Sequence, residues 1–365
     1  MQVILSVAHW FLYHTVIAFL PGLDAQAVWA LRIVIFLLAF SFMTAAMLSF
    51  RTSALPIRIF YKIAAIWLGF LNFFFLAACL CWLIWYALPV FGMHPDPATV
   101  RPLLCGVLNG LALLTGILGM LNALWIRTRR IIVPLPNLPL SWHGRRAVLL
   151  SDLHLGNINA AGFCRRIVRR VAALQPEVVF IPGDIFDGPH AAMDRLIAPF
   201  SDLAPPLGIY FSSGNHEEFG GLVHCHAAIA RAGIHVLENQ QVLVDGVRIA
   251  GISYGDATFP LRIRTLLDAM QLDRAQPAIL LNHAPVRLPI VEQAGFSLQL
   301  SGHTHGGQVF PFTWFTWRVF GKFTHGLRRF GALTVYTSTG AGTWGPPMRV
   351  GSAPEIVLLE FQPAL

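Results

Sequence analysis

The chain has 365 residues, of which 55% are hydrophobic and only 12% charged, with a formal net charge of +8. Ordinary soluble domains carry about 25% charged residues, so a single water-soluble globule is excluded, and so is a disordered chain, which needs the opposite balance. Residues 1–130 hold eight Lys and Arg against two Asp and Glu (+6), residues 131–365 eighteen against sixteen (+2). The basic surplus therefore sits in the apolar half, which points to membrane topology rather than to nucleic acid as a partner.

Crossing a hydrocarbon layer about 30 Å thick takes about 20 apolar residues in a helix. Residues 28–50, 63–89 and 103–126 meet this, and residues 3–20 form a shorter fourth stretch containing His9, Tyr13 and His14. The first stretch has no basic start and no small-residue cleavage site, so it does not read as a cleaved signal peptide. The expectation is a membrane domain over 1–130 with about four transmembrane helices. Arg51, Arg58 and Lys62 lie between the second and third spans, and Arg127, Arg129 and Arg130 follow the last. Positive residues favour the cytoplasmic side, so everything after residue 127 is expected in the cytoplasm, at an inner or plasma membrane. Asn72, Asn109 and Asn122 are expected as interhelical hydrogen-bond partners, and Gly106 with Gly110 as a site of close helix approach. His9 and His14 are expected to pair within the bundle or sit near water. The five cysteines do not form a disulfide framework. Cys79, Cys81 and Cys105 fall in spans as small hydrophobes, and Cys164 and Cys225 are expected as reduced thiols.

Residues 131–140, IIVPLPNLPL, hold three prolines and read as an extended Pro-rich linker, assigned to 131–144. Beyond it the texture becomes α/β. AVLLSD (147–152) and VVFIPGD (178–184) read as buried strands around a helical FCRRIVRRVAALQ (163–175), a parallel βαβ unit covered on both faces. Further strand-like runs begin at 207, 247, 278, 297, 333 and 355. Strands alternating with helices predict an α/β sandwich over 145–365.

The ends of these strands carry the chemistry. In order they read Asp152-Leu-His154, Gly183-Asp184-Ile-Phe-Asp187, Gly214-Asn215-His216-Glu217, Asn282-His283 and Gly302-His303-Thr-His305-Gly-Gly. The strand-to-turn junction is the usual ligand position in an α/β sheet. Asp, Asn and His bind divalent metal, and imidazole with carboxylate suits Mn, Fe, Zn or Ni better than Ca or Mg. Structural zinc sites are usually Cys-rich and closed; this set is Cys-free and too large for one tetrahedral ion.

These five blocks, in this order over about residues 145–361, resemble the calcineurin-like metallophosphoesterase family. The resemblance implies an αββα sandwich and two divalent metal ions, with Mn2+ favoured here. Carried onto this chain, it assigns Asp152, His154 and His305 to one metal, Asn215, His283 and His303 to the other, and Asp184 to the bridge. It makes His216 the catalytic residue facing the substrate phosphate, and Asp187 a residue orienting a ligand. It implies a metal-dependent hydrolase of phosphodiester or pyrophosphate bonds. Among membrane-anchored relatives the arrangement resembles UDP-2,3-diacylglucosamine hydrolases, which release UMP and a lipid monophosphate in lipid A biosynthesis, and other transmembrane phosphodiesterases. A phosphatase of unknown substrate and a membrane sensor or scaffold with a structural metal site are the alternatives.

Two surface features are expected to meet substrate or membrane. Arg165, Arg166, Arg169 and Arg170 form a basic stripe on the helix after D-x-H, either a solvated face or a contact to anionic headgroups. VFPFTWFTWRVF (309–320) packs Phe310, Phe312, Trp314, Phe315, Trp317 and Phe320 into twelve residues. A strand buries only alternate residues, so a hairpin here must expose some of them. The expectation is that Trp314 and Trp317 dip into the lipid surface. His224-Cys225-His226 reads as helix surface, and His143, His190, His235 and His325 are given no role.

Overall fold

The computed structural model describes residues 1–52, 54–187 and 193–364; His190 lies outside them. The chain divides into two units: Met1–Leu121 with Gly345–Val350, and Asn122–Trp344 with Gly351–Leu365.

The first unit is built on α1 (Gln2–Phe19), α2 (Ala25–Arg51), α3 (Leu55–Ala87) and α4 (Pro97–Leu124). All four helices are long and apolar enough to cross a membrane. A helical backbone satisfies its own polar groups, which is the condition for residing in lipid. His9 is held inside the unit, its Nδ1 2.7 Å from Leu5 O and its Nε2 accepting from Trp67 Nε1 at 2.8 Å. The expected helix–helix contacts are corrected. Asn109 donates within its own helix to Cys105 O (2.8 Å). Asn122 donates to the Ser352 carbonyl (2.8 Å). Gly106 and Gly110 face open space. The close approaches occur instead at Gly116 of α4, where a side chain would collide with the Phe70 ring of α3, and at Gly69 and Gly119, where it would meet Met348 and Val350. The Arg349 amide donates to Gly119 O (2.9 Å).

The second unit runs β1 (Arg127–Leu135), β2 (Arg146–Leu149), β3 (Leu155–Gly156), α5 (Ala161–Ala173), β4 (Val178–Pro182), β5 (Phe186–Asp187), α6 (Met193–Ile197) and β6 (Ile209–Ser212). It continues through α7 (Asn215–Gly220), α8 (Leu222–Arg231), β7 (His235–Val236), β8 (Gln240–Val244), β9 (Val247–Gly251), α9 (Tyr254–Thr258), α10 (Pro260–Ala269) and β10 (Ala278–Leu281). It closes with α11 (Leu288–Ala294), β11 (Leu298–Ser301), α12 (Phe312–Phe320), β12 (Gly326–Phe330), β13 (Leu333–Thr337) and β14 (Glu355–Pro363). One six-stranded sheet has the order β1-β14-β2-β4-β6-β7, the other β12-β13-β11-β10-β9-β8. β2, β4 and β6 are parallel in the first, and β9, β10, β11 and β13 in the second.

The two sheets face each other across one apolar core. Val133, Leu149, Val178 and Phe180 from one meet Ile249, Ile279, Leu281 and Leu300 from the other. The outer face of the first sheet packs on α5, α6 and α8 through Ile167, Val171, Ile197 and Ile229. The outer face of the second packs on α10 and α11 through Ile263, Leu267 and Val291. With both faces covered, the central strands are apolar along their whole length: all five residues of β4 are buried, as parallel pairing requires. The fold is an αββα sandwich.

The expected linker over 131–144 differs from what is found. Residues 131–135 belong to β1, paired parallel with β14 from Arg127 to Leu135. Pro134 is tolerated because β1 is an edge strand, where a missing N–H disrupts no ladder on the open side. Arg129 ties the strand down through a 2.7 Å contact to the buried Glu355. Trp142, fully buried, donates from Nε1 to Val244 O (3.1 Å) and packs edge-on against Phe361. Trp142→Ala should destabilise this unit by about 3–5 kcal/mol, the usual cost of emptying a large aromatic site, read as a lowered unfolding midpoint of the full chain in detergent.

Candidate metal centre

Every block singled out above begins within five residues of the C-terminal end of a parallel strand: Asp152 and His154 after β2, Asp184 after β4, Asn215 and His216 after β6, His283 after β10, and His303 and His305 after β11. The turns are tight enough to force five of these residues into the left-handed region, with φ of 52° at Asp152, 47° at His154, 56° at Asp184, 69° at His303 and 50° at His305. Each such residue costs about 1–3 kcal/mol and is characteristic of functional sites. Glycines admit the close approach: a side chain at Gly214 would collide with the Asp184 carboxylate, and one at Gly302 with that of Asp152.

The side chains converge. His154 Nε2 lies 2.9 Å from His305 Nε2, and His305 Nε2 lies 3.5 Å from Asp152 Oδ1. His303 Nδ1 lies 3.0 Å from Asn215 Oδ1, and His283 Nε2 lies 3.1 Å from Asp184 Oδ2. Asp184 Oδ2 is also 3.8 Å from His154 Nε2, so this carboxylate stands between the two groups. Ligands about 2.1 Å from a shared ion at octahedral or tetrahedral angles are about 3.0–3.4 Å apart, close to these spacings. His283 Nε2 is buried beside Asp184 Oδ2. Its Nδ1, 2.7 Å from Pro182 O, takes the outer contact usual for a metal-bound imidazole. The donor set and its spacing fit a pair of divalent cations.

The blocks also hold one another. The His303 amide donates to both Asp152 oxygens (3.0 and 3.2 Å), the His216 amide to Asp184 Oδ1 (3.0 Å), and Ser151 Oγ to Asp152 Oδ2 (2.6 Å). Glu217 was part of a motif but had been assigned no role. Fully buried, it accepts from the amides of Asp184 (2.9 Å), Phe186 (3.1 Å) and Gly214 (2.9 Å), joining two of the site's turns. Asp187 was expected to orient a ligand. Its Oδ1 lies instead 3.2 Å from Nδ1 of His216, so it orients the residue expected to face substrate.

Burial raises the Asp152 pKa to about 6. Burial also works against ionisation of Asp184, yet the imidazoles of His283, His154 and His216 hold it well below the usual carboxylate range. Burial drives His154 down to about 4 and His303 to about 3, leaving both neutral with lone pairs to offer. For His283 burial again opposes charge, but Asp184 and then Asp152 outweigh it and lift the pKa to about 10. The pocket thus demands positive charge, which a proton on His283 supplies and a cation would replace.

Aromatic side chains rim the site. Phe219 and Trp344, both exposed, stand 6.4 and 6.2 Å from the His216 ring, and Tyr254 and Phe320 stand 5.4 and 6.0 Å from that of His303. Phe219, Tyr254 and Trp344 lie in segments without a metal-ligand pattern, so nothing in the sequence marked them. Segment 309–320 is not a strand hairpin with its aromatics in the core: Phe312–Phe320 is helical, and Phe312, Trp314, Phe315 and Trp317 are exposed. Arg165, Arg166, Arg169 and Arg170 are all exposed on α5, while Cys164, Ile167, Val168 and Val171 face the core.

A family model for calcineurin-like phosphoesterases matches residues 145–307, the segment that holds all the candidate metal ligands and His216. The chain carries a calcineurin-like metallophosphoesterase domain. An uncharacterized metallophosphoesterase of Campylobacter jejuni is 33% identical over 63% of this chain and 62% of its own length. A transmembrane protein with metallophosphoesterase domain from Danio rerio is 34% identical over 64% of this chain and 56% of its own. A protein of the same description from Bos taurus is 32% identical over 73% and 63%. The chain thus spans about three fifths of the length of the curated relatives it matches.

Two measurements on the metallophosphoesterase domain follow. Because bound metal displaces the His283 proton, metal affinity should tighten about tenfold per pH unit from pH 6 to 8, with proton release visible by calorimetry in buffers of different ionisation enthalpy. Glu217→Ala should weaken metal binding about 10–100-fold, the usual cost of losing an outer contact, measured by chelator competition.

Proposed function

We propose that this protein is a membrane-anchored phosphoesterase that uses two divalent metal ions, Mn2+ favoured, to hydrolyse a phosphodiester or pyrophosphate bond in a lipid-linked substrate. The observation that carries it is the convergence of Asp152, His154, Asp184, Asn215, His283, His303 and His305 at one rim, with His216 beside them and not needed as a ligand. Asp152, His154 and His305 would hold one ion, Asn215, His283 and His303 the other, and Asp184 both. When bound, the pair supplies Lewis acidity toward the phosphoryl oxygens and hydroxide at neutral pH.

The chain's own residues supply orientation and a proton. Asp187 engages His216 Nδ1, which leaves Nε2 for the substrate. Burial alone would lower the His216 pKa, but Asp187 and the charges of Asp184 and Glu217 raise it above the ordinary imidazole value. A protonated His216 can donate to the oxygen that leaves as its bond to phosphorus breaks and water's oxygen adds from the opposite side.

Four apolar helices in the same chain support a membrane-resident substrate, since confinement to a surface raises local concentration. UDP-2,3-diacylglucosamine, cleaved to UMP and a lipid monophosphate, is the specific substrate proposed. Arg51, Arg58 and Lys62, with Arg127, Arg129 and Arg130, support a catalytic unit on the cytoplasmic side.

Metal-loaded full-length protein should turn over bis(p-nitrophenyl) phosphate, lose this with chelator, and regain it with Mn2+. His216→Ala should retain about two metals per chain while turnover falls about 10²–10⁴-fold. Asp187→Asn should reduce it by less. Mass-spectrometric product analysis with UDP-diacylglucosamine and other lipid pyrophosphates tests the substrate. Failure of the metal-loaded protein on every phosphoester would overturn the catalytic reading.

A further inference from the structure

The nine residues of α12 are amphipathic in the wrong sense for a helix lying on a soluble domain. Thr313, Thr316 and Phe320, at i, i+3 and i+7, are the less exposed positions, and Thr313 lies against Gly307 and Gly351. Phe312, Trp314, Phe315, Trp317 and Val319 point away and are 52–74% exposed. Phe315 packs on Phe312 and Trp314, its neighbours on this same helix. Soluble helices put their apolar stripe inward and their polar face outward, and an exposed apolar cluster of this kind marks a contact surface.

Charge identifies what it contacts. Between Glu292 and Glu355 the chain contains no Asp or Glu. Arg318 and Lys322 adjoin the aromatic cluster, and Arg328 and Arg329 stand exposed on β12. Outward aromatics flanked by cations, in a segment without acidic residues, are the composition of a helix lying in a lipid headgroup layer, where basic residues are drawn to anionic headgroups. Only Trp125 and Ile126 separate α4 from β1, so the domain is tethered within a few residues of an apolar helix. Trp125 is exposed, with the Arg127 guanidinium 4.7 Å over its ring.

We infer that α12 is an interfacial helix that lies in an anionic lipid surface and brings that surface to the rim of the metal centre. The inference rests on the membrane reading above and deepens it. α12 is rooted in the turn that carries His303 and His305. The Phe312 amide donates to Val309 O (2.8 Å), and Gly307 is left-handed (φ 80°) where any side chain would collide with the Thr313 backbone. At its far end Phe320 stands 6.0 Å from His303. A lipid whose tails lie along the outer face of α12 would have its phosphate held next to the proposed ligands, while a soluble phosphoester gains nothing from the helix.

The test uses the full-length chain, one copy per nanodisc, with p-benzoylphenylalanine placed at Trp317. Irradiation should yield protein–phospholipid adducts by mass spectrometry, several-fold more in phosphatidylcholine/phosphatidylglycerol discs than in phosphatidylcholine alone, and several-fold more than with the same probe at Leu243, exposed on β8. Lys322→Glu/Arg328→Glu/Arg329→Glu should remove the dependence on anionic lipid. Adducts to a second copy of the chain in two-copy discs without lipid adducts, or a lipid yield no higher than at Leu243, would overturn the inference. Should the probe variant not fold, quenching of tryptophan emission by brominated lipid reads the same contact: Trp314→Phe/Trp317→Phe should lose part of the quenching, and an unchanged value would count against the helix. Neither readout needs turnover, so an inactive enzyme would end the proposed reaction and leave this inference standing.

Discussion

Asp152 and Asp184 are buried at strand ends, and taking two carboxylates out of water costs several kcal/mol apiece unless opposite charge comes with them. Much of the second unit's detail answers that cost. Imidazoles arrive from three other turns and from His154 beside Asp152, backbone amides of His303 and His216 donate to the two carboxylates, and Glu217 gathers three more amides behind them. Even so, the balance is struck only by holding a proton on His283 well into the alkaline range. A pocket that is short of positive charge, with its donors already at ligand spacing, has a strong preference for cations, and the backbone strain at five of its residues is the cost of that preorganisation.

The same constraint explains why the scaffold is two facing sheets. The candidate ligands come from turns after β2, β4 and β6 of one sheet and β10 and β11 of the other. Parallel strands bring successive C-terminal ends to one rim, and packing two such sheets across an apolar core brings the two rims together. The antiparallel and edge elements, β1, β7, β8 and β12, contribute none of the ligands. Edge position is also what lets β1 contain Pro134 and still serve as the first strand after α4.

Around this polar centre the surface is apolar. Phe219, Trp344, Tyr254 and Phe320 rim the histidines, and α12 turns its aromatics outward. On the proposed reading this surface serves a protein working on amphiphiles beside a bilayer. Metal chemistry and lipid contact would then meet at one short segment, from His303 through Phe320, where the turn of candidate ligands and α12 are consecutive in the chain.

Local chemistry made much of this legible in advance. Four apolar stretches stand out by length alone, eight strands by apolar runs, five of which lead into Gly, Asp, Asn or His, and the candidate site residues by falling at those five ends. What local pattern could not supply were features whose cause lies elsewhere in the chain. β1 looks like a linker because its prolines are read before its pairing with β14 is known. Asp187 reads as orienting a metal ligand until the fold brings His216 to it. In the 309–320 segment Thr313, Thr316 and Phe320 face the domain while Phe312, Trp314, Phe315 and Trp317 face out, and no periodicity argument built on a buried apolar face could find that helix. Asn109, Asn122, Gly106 and Gly110 were assigned to helix contacts on composition, which says nothing about which helix faces which. The sequence alone therefore determined the class, apolar helices followed by an α/β sandwich, and the set of candidate ligands, since those depend on residue type and spacing. Which groups touch, which carboxylate lies between the two clusters and which face of α12 is outward were decided only by tertiary packing, because each depends on residues far apart in the chain.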